Sequence, residues 1–552
     1  MKVIAALYAD LDRSPIGTRS RLAGELLGVP VLRRTVERLR RARRLDAIYV
    51  LCPSAQLERC TSLVRGTGVV VRPTSGGGPS WGPLVQCARK WSLDGWRGGI
   101  GGACSFDEFT DPRVLSGLLG DVTADAVLSV PAAAALIDPV LADRIIEHAD
   151  QAGDEIRLTF TQAPPGLAGV LLKADLIHEL REKSTPLGWV FAYQPDVPRK
   201  DLIFQPCCCE IPLELRYAVG RLIADTDRTM EAIAALLRDH PDPDLVTVGT
   251  WLAVREASYV PPVPREVEIE LTTDDPHPDA MLRPRGARLA RRGPIDSRSV
   301  HEVVRAVCRY DDALVVLGGF GDPLRHPRFN EILETVRAAV PDGPGPYGLA
   351  VRTTAADLTE EHIAALIRHR VDVLQVLLDA WSPDLYGRLQ SPGDPSAVSL
   401  ENLRRRIEQV TALRQRATSV MPIVLPTMTK ALDNLHELDE FHDGWMRRLG
   451  AVLIAGYGHY ARQCQDRSVM CMAPPDRVPC RRIRSRCLVL ADGRVTLCDQ
   501  DLHGYHAVGS LSAQSLGEIW QGQGFSAVRA AHASGRFDPT PLCAACDEWH
   551  RP

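Results

Sequence analysis

The 552-residue chain lacks any apolar run near the roughly eighteen residues that a membrane-spanning helix needs, so no bilayer span is expected. Its opening, MKVIAALYADLDRS, meets acids at Asp10 and Asp12 before a leader-length apolar core has formed, and the expectation is a cytoplasmic protein. Excess charge is also lacking. Lys and Arg number 65 against 69 Asp and Glu, a formal net charge of −4, which argues against a general nucleic-acid binder. With 45% apolar and 24% charged residues, the composition is that of a globular protein and excludes a disordered or fibrous one. Cysteine is missing from the whole stretch between Cys209 and Cys308, so no thiolate site can form there.

Elsewhere cysteine is plentiful. The chain has 15, and seven of them (464, 471, 480, 487, 498, 543 and 546) lie near the carboxyl end. In a large chain expected to be cytoplasmic this distribution points to metal or cluster ligation, or to small buried apolar residues, rather than to disulfides. The length predicts three to four domains at about 150 residues each.

The amino-terminal part reads as α/β. Apolar runs at 3–8, 47–53, 68–73, 126–131 and 168–173 predict strands, and helical periodicity falls near 31–44, 82–91 and 140–151. In such sheets ligands bind beyond the carboxyl ends of strands, which makes the loop from Tyr8 to Gly24 a candidate site. Pro261, Pro262 and Pro264 in EASYVPPVPRE (256–266) favour an extended linker and a domain boundary. A second series follows, with strands predicted at 267–273, 313–319, 347–353, 371–379, 421–426 and 451–456. Helices are predicted between them, at about 297–309, 328–339, 359–369, 399–416 and 433–448. Six βα units in order suggest a partial (βα)6 barrel of the TIM type, although pattern alone also allows a doubly wound sheet. Beyond about 465 the alternation stops, and sparse regular structure held by a staple is expected. The domains are then 1–255, 265–464 and 465–552.

In the last of these, Cys480 is followed at a distance by Gly493 and Cys498, and Cys543 and Cys546 make a C-x-x-C pair. Four thiolates suit a soft site, either zinc or an iron–sulfur cluster. Asp492-Gly493 between CLVL and VTLC is a hairpin signal that would draw Cys480 and Cys498 together. Segment 480–549, with VGSLSAQSLGEIWQG (508–522), Phe525 and Arg529, resembles the SPASM/twitch region that follows the barrel of many radical S-adenosylmethionine (radical SAM) enzymes. The resemblance implies one auxiliary [4Fe–4S] cluster on Cys480, Cys498, Cys543 and Cys546. Cys471 and Cys487 lie near enough in sequence to substitute, though buried thiols are the plainer reading.

The middle of the chain resembles the radical SAM barrel. GGFGDPLRHPRF (318–329) is similar to the family's second-strand motif, and VDVLQVLLDAWSPDLYGRLQ (371–390) to its fourth-strand stretch. That implies a SAM-like cleft at Gly318, Gly319, Gly321, Asp322 and Pro323. The family's C-x3-C-x2-C is absent. Its positions fall on Asp275, Asp279 and Leu282 of TTDDPHPDAML, where carboxylates and a leucine cannot hold a soft cluster. Reductive cleavage of SAM here is therefore not expected, and whether SAM binds is left open. Asp274, Asp275, His277 and Asp279 could instead take a divalent ion, against a plain solvated loop.

SPIGTRSRLAGELLGVPVLRRTVERLRRARRLDAIYVLCP (14–53) resembles the opening of cytidylyltransferase-type nucleotidyltransferases. The resemblance implies a nucleotide or sugar-nucleotide loop around Gly17, Thr18, Arg19 and Arg21, whose backbone N–H groups could cradle phosphate. Glu25 stands where that family has a phosphate-binding Lys. The family's metal-binding Asp is not evident in GGIGGACSFDEFTDP, with Asp107 or Glu108 as substitutes; Mg²⁺ is expected only if this domain is active. The combination resembles the spiro-SPASM family. The role it implies is an iron–sulfur protein serving a redox partner or a modified peptide or protein. The competing readings are a nucleotidyl- or glycosyltransferase with a regulatory iron–sulfur region, and a radical SAM enzyme with atypical ligands. The arginines at 33, 34, 38, 40, 41, 43 and 44 read as a solvated face. Cys207, Cys208 and Cys209 read as burial, because strand neighbours point to opposite faces.

Overall fold

The structure, a computed structural model, describes all residues except 75–80, 198–199, 285–288, 341–342, 344, 393–397, 539 and 552. It contains two compact units, Met1–Glu256 and Ala257–Pro552. No helix among the described residues is long and apolar enough to cross a membrane.

The first unit is built on β1 (Val3–Tyr8), β2 (Ala47–Pro53), β3 (Val70–Thr74), β4 (Ala126–Ser129), β5 (Leu158–Thr159) and β6 (Val170–Lys173). Their order is β3-β2-β1-β4-β6-β5. β1 pairs in parallel with β2 and β4, whereas β6 runs antiparallel to β4 and β5. Strand periodicity divides β1 between two cores: Val3, Ala5 and Leu7 pack on one face, Ile4 and Ala6 on the other. A small hairpin, Glu25–Leu26 against Val29–Pro30, turns through Leu27 (φ 50°) and Gly28 (φ 78°). Positive φ at both central residues is the geometry that twists with the strands, and glycine supplies it without a Cβ penalty.

The second unit has β7 (Glu266–Glu270), β8 (Leu314–Gly318), β9 (Gly348–Thr353), β10 (Val373–Leu377), β11 (Ile423–Lys430) and β12 (Leu453–Gly456). These six are parallel and stand in sequential order, the partial-barrel arrangement. Helix Ser297–Val307 shows how the crossovers are specified. Asp296 caps it by accepting from Ser299 N–H at 2.9 Å, and Val300, Val303, Val304 and Val307 bury one stripe.

Beyond residue 465 the structure departs from the expectation of sparse regular structure. β13 (Arg486–Val489), β14 (Arg494–Thr496) and β15 (Ala507–Ser510) extend the same sheet to nine strands. β13 lies parallel to β7, and the Asp492-Gly493 turn returns the chain antiparallel as β14, with Gly493 at φ 80°. The prolines at 261 and 262 are held by this tail: Trp520 Nε1–H donates to Pro261 O at 2.8 Å, and the Gln521 amide donates to both carbonyls.

A candidate iron–sulfur centre and two filled-in clefts

In the carboxyl-terminal tail, each cysteine of the candidate set is placed by local structure. Cys480 precedes the short helix Arg482–Ser485, and Cys498 follows β14. Thr540 caps the short helix Pro541–Ala544 by accepting from Cys543 N–H, and Cys546 N–H donates to Cys543 O at 3.2 Å. The structure brings all four cysteines to the wall of one small cavity, with Arg477, Arg482, Gln500, His532, Leu542 and Glu548 around them. Cys471 and Cys487 are not among the lining residues. Cys471 is exposed, and Cys487 is buried in the core, where burial pushes its thiol up to about 12.

Burial, then neighbouring negative charge, also raises the thiol pKa of Cys498, and burial pushes that of Cys546 to about 12. A soft cation bound among these thiols would invert the balance and take them as thiolates. The surroundings fit such a group. Glu548 N–H donates to Cys546 Sγ at 3.3 Å, and Gln500 N–H faces the Cys498 thiol. The Arg477 and Arg482 guanidiniums supply positive charge; Arg482 bonds Asp499 at 2.8 Å. Burial opposes ionisation of Asp499, but Arg482 and then Arg486 hold its carboxyl at about 2. Among the described residues, no three His, Cys, Asp or Glu side chains already converge on a single ion position.

The residues that carried the tail's resemblance prove to be packing. Ser515 and Glu518 form a capping box, and Arg529 lies 4.0 Å from the Trp520 ring while donating to Ile483 O and Trp520 O. His532 was legible only as periodicity. It follows Phe525, Val528 and Arg529 on the buried stripe of helix Gln523–Ala533.

The barrel's first loop is filled by internal bonds. His277 is buried, with Nδ1 on Ser391 Oγ at 3.0 Å and Nε2 on Tyr386 OH at 3.2 Å. Asp274 and Asp279 are exposed, and Leu282 is in the hydrophobic core. The candidate divalent-ion set is thus not brought together. In GGFGDP, Gly319 N–H donates to Glu268 and Phe320 N–H to Glu270. The buried Asp322 carboxylate accepts from both hydroxyls of Thr353 and Thr354, from Thr354 N–H and from Leu324 N–H. A Cβ on Gly321 would meet Thr272 O at 2.1 Å, so the motif is backbone pressed on backbone. Pro323 opens the short turn that Asp322 caps.

A cavity of about 430 Å³ opens in the first unit beyond the carboxyl end of β1. Arg21 lines it with Arg13, Ser14 and Ser20 of the predicted loop. Gly17 (φ 89°) and Thr18 shape the loop instead: Thr18 Oγ1–H donates to Asp225 O. Arg19 and Glu25 are exposed and do not line the cavity. Neither carboxylate expected to bind metal is free. Asp107 accepts from Gly188 N–H and Cys104 N–H, at 2.8 and 2.9 Å. Glu108 is paired with Arg89 and Arg221, each at 2.8 Å, and Arg221 also pairs with Asp225. The basic helix differs from a plain solvated face: Arg38 is buried, donating to Ile137 O and Pro243 O and pairing with Asp242. Cys207 and Cys208 are half-buried and Cys209 is buried; burial raises all three thiols, Cys207 and Cys209 to about 11.

Comparison with known proteins decides the nature of the tail. Residues 480–547 match SPASM, an iron–sulfur cluster-binding domain. The tail is a SPASM domain. An uncharacterized protein of Treponema pallidum (strain Nichols) is 27% identical over 261 residues, 45% of this chain and 68% of that protein. Among solved structures, BtrN in complex with AdoMet and 2-DOIA has 14% identity and a TM-score of 0.34, over 51% of this chain and 93% of that one. A cytidylyltransferase of Leptospira borgpetersenii has 14% identity and a TM-score of 0.32, over 46% and 94%. Streptococcus suis SuiB bound to the precursor peptide SuiA has 11% identity and a TM-score of 0.38, over 65% and 81%.

Proposed function

We propose that this protein is an iron–sulfur protein in which the SPASM domain holds one [4Fe–4S] cluster through Cys480, Cys498, Cys543 and Cys546. The observation that carries this is that these four cysteines all line one cavity within the segment that matches SPASM. When bound, the cluster supplies one-electron transfer. The backbone N–H groups of Gln500 and Glu548 would donate to the Cys498 and Cys546 sulfurs that hold it, and Arg477 and Arg482 would offset its charge. The barrel does not cleave SAM itself: no thiolate stands on its first loop, and the His277 imidazole there is bonded to Ser391 and Tyr386. The cluster then serves a redox partner or a peptide or protein under modification, in the cytoplasm.

Anaerobic purification with iron, sulfide and zinc analysis tests this reading. About four irons per chain, broad absorbance near 400 nm and no 5′-deoxyadenosine from SAM are expected. Replacing Cys543 and Cys546 by Ala should abolish the iron. Zinc in place of iron, unchanged iron in that variant, or about eight irons with SAM cleavage would overturn it.

A second reading concerns the first unit and rests on the Arg89–Glu108–Arg221–Asp225 network. Glu108 and Asp225 at the cavity are spent on guanidiniums, and on this reading the cavity takes a nucleotide or sugar nucleotide without turnover and without a metal on those two carboxylates. Calorimetric titration of CTP and a nucleotide sugar should give binding that added Mg²⁺ leaves unchanged, with no pyrophosphate released. Mg²⁺-dependent pyrophosphate release would sink it.

A further inference from the structure

On the residues that line the cavity of the four cysteines, Arg477 Nε, Arg482 Nε, Gln500 Oε1 and His532 Nε2 are buried without a hydrogen-bond partner, and the imidazole is the one held in place from its other side. His532 lines this cavity and is 1% exposed. Its Nδ1 accepts the backbone N–H of Cys480 at 3.3 Å. A neutral imidazole carries one proton, and an Nδ1 that accepts must leave that proton on Nε2. The His532 Nε2 is buried and has no hydrogen-bond partner. The ring cannot turn to find one cheaply, since it meets Phe537 edge-on at 5.1 Å and turning would break the bond to Cys480. Leaving a buried donor unmatched is unfavourable, and this one calls for an acceptor that the described residues do not offer it.

We propose that His532 is a positioning residue for the cluster, whose Nε2–H donates to a sulfur of the cluster or of its thiolates. This deepens the iron–sulfur reading and rests on it. The same ring would then do two things. Through Nδ1 it fixes the backbone of the ligand Cys480, and through Nε2–H it stabilises negative charge on sulfur. Reduction adds one electron and makes the cluster one unit more negative, so the N–H···S bond favours the reduced form and raises the reduction potential. The only change is the gain of that electron from an external low-potential mediator; no proton leaves His532.

The test uses the full chain with its cluster loaded anaerobically. Iron per chain is measured first, and a mediated potentiometric titration follows by electron paramagnetic resonance. His532→Phe, which keeps a ring but has no N–H, should load iron and show a midpoint potential more negative than the native protein. His532→Gln, which retains an amide donor, should recover part of the shift. Pulsed spectroscopy of the reduced native protein grown with ¹⁵N-histidine should show weak coupling of one histidine nitrogen, lost in His532→Phe. Should His532→Phe fail to load, the labelled native protein decides. Full iron with no histidine coupling overturns the role of His532 and leaves the cluster assignment intact, as does an unchanged potential in a loaded His532→Phe. A colourless, zinc-bearing native protein overturns both.

Discussion

Arg221 sits where charges are hardest to keep. It is almost entirely buried, and its guanidinium reaches Glu108, Asp225 and the carbonyl of Leu93. A buried ion is tolerated only while its partners are in place, and removing one partner strands the rest. Arg221→Met should therefore destabilise the first unit by about 3–5 kcal/mol, read as a lower midpoint in guanidinium denaturation. Replacing Asp225 by Leu in the same chain should restore part of this. The two carboxylates of the network pull in opposite directions with pH: burial raises the Asp225 carboxyl in spite of Arg221, whereas Glu108 gives the stabilisation that acid removes. Burial opposes ionisation of Glu108, but Arg221 and then Arg89 hold its carboxyl below the usual 4.5. Its stabilisation is present above 4.5 and is lost as the pH falls through the lower folded value. The acid limb of unfolding should be shallower in Arg221→Met; an identical limb would show that the network carries no linkage.

Elements were legible where one period dominated. The β1 run VIAALY and the β2 run AIYVLCP appear as strands with the boundaries that their apolar residues mark. Helix 31–44 is shorter in the structure, ending at Leu39, because the arginines beyond it bond outward rather than continuing the stripe. The hairpin at Asp492-Gly493 was written in its turn residues, but its neighbour was not. Nothing local in RCLV tells that β13 will lie beside β7, since that pairing depends on a partner far back in the chain. Site chemistry divided in the same way. Spacing marked the four cysteines, and the resemblance to the radical SAM barrel marked the missing thiolates at 275, 279 and 282. It could not show that His277 would be spent on Ser391 and Tyr386, or that Glu108 would be shared by two arginines. Those outcomes depend on residues that only the folded chain brings near.

For the molecule as a whole, the second unit is one sheet written in two distant pieces of sequence. β7 is flanked by β8 on one side and by β13 on the other, and Glu270 at its end accepts from Ala491 N–H, 221 positions later. The same carboxylate holds Arg292 by two bonds, at 2.6 and 2.9 Å, and Arg292 in turn donates to Leu502 O, so side-chain bonds as well as the ladder join the tail to the first barrel strand. A chain ended after residue 464 should therefore leave the β7 edge open and run as aggregates on size exclusion, whereas the full chain stays monodisperse. A monodisperse truncated chain would show that the edge protects itself. This arrangement also sets a timetable. A ribosome releases β7 long before β13 exists, so throughout synthesis of the barrel a strand waits with one edge of its backbone bare. The unit cannot finish folding until the last part of the chain, the part with the cluster cysteines, has left the exit tunnel, and a nascent chain of this design depends on chaperones to guard that edge in the meantime.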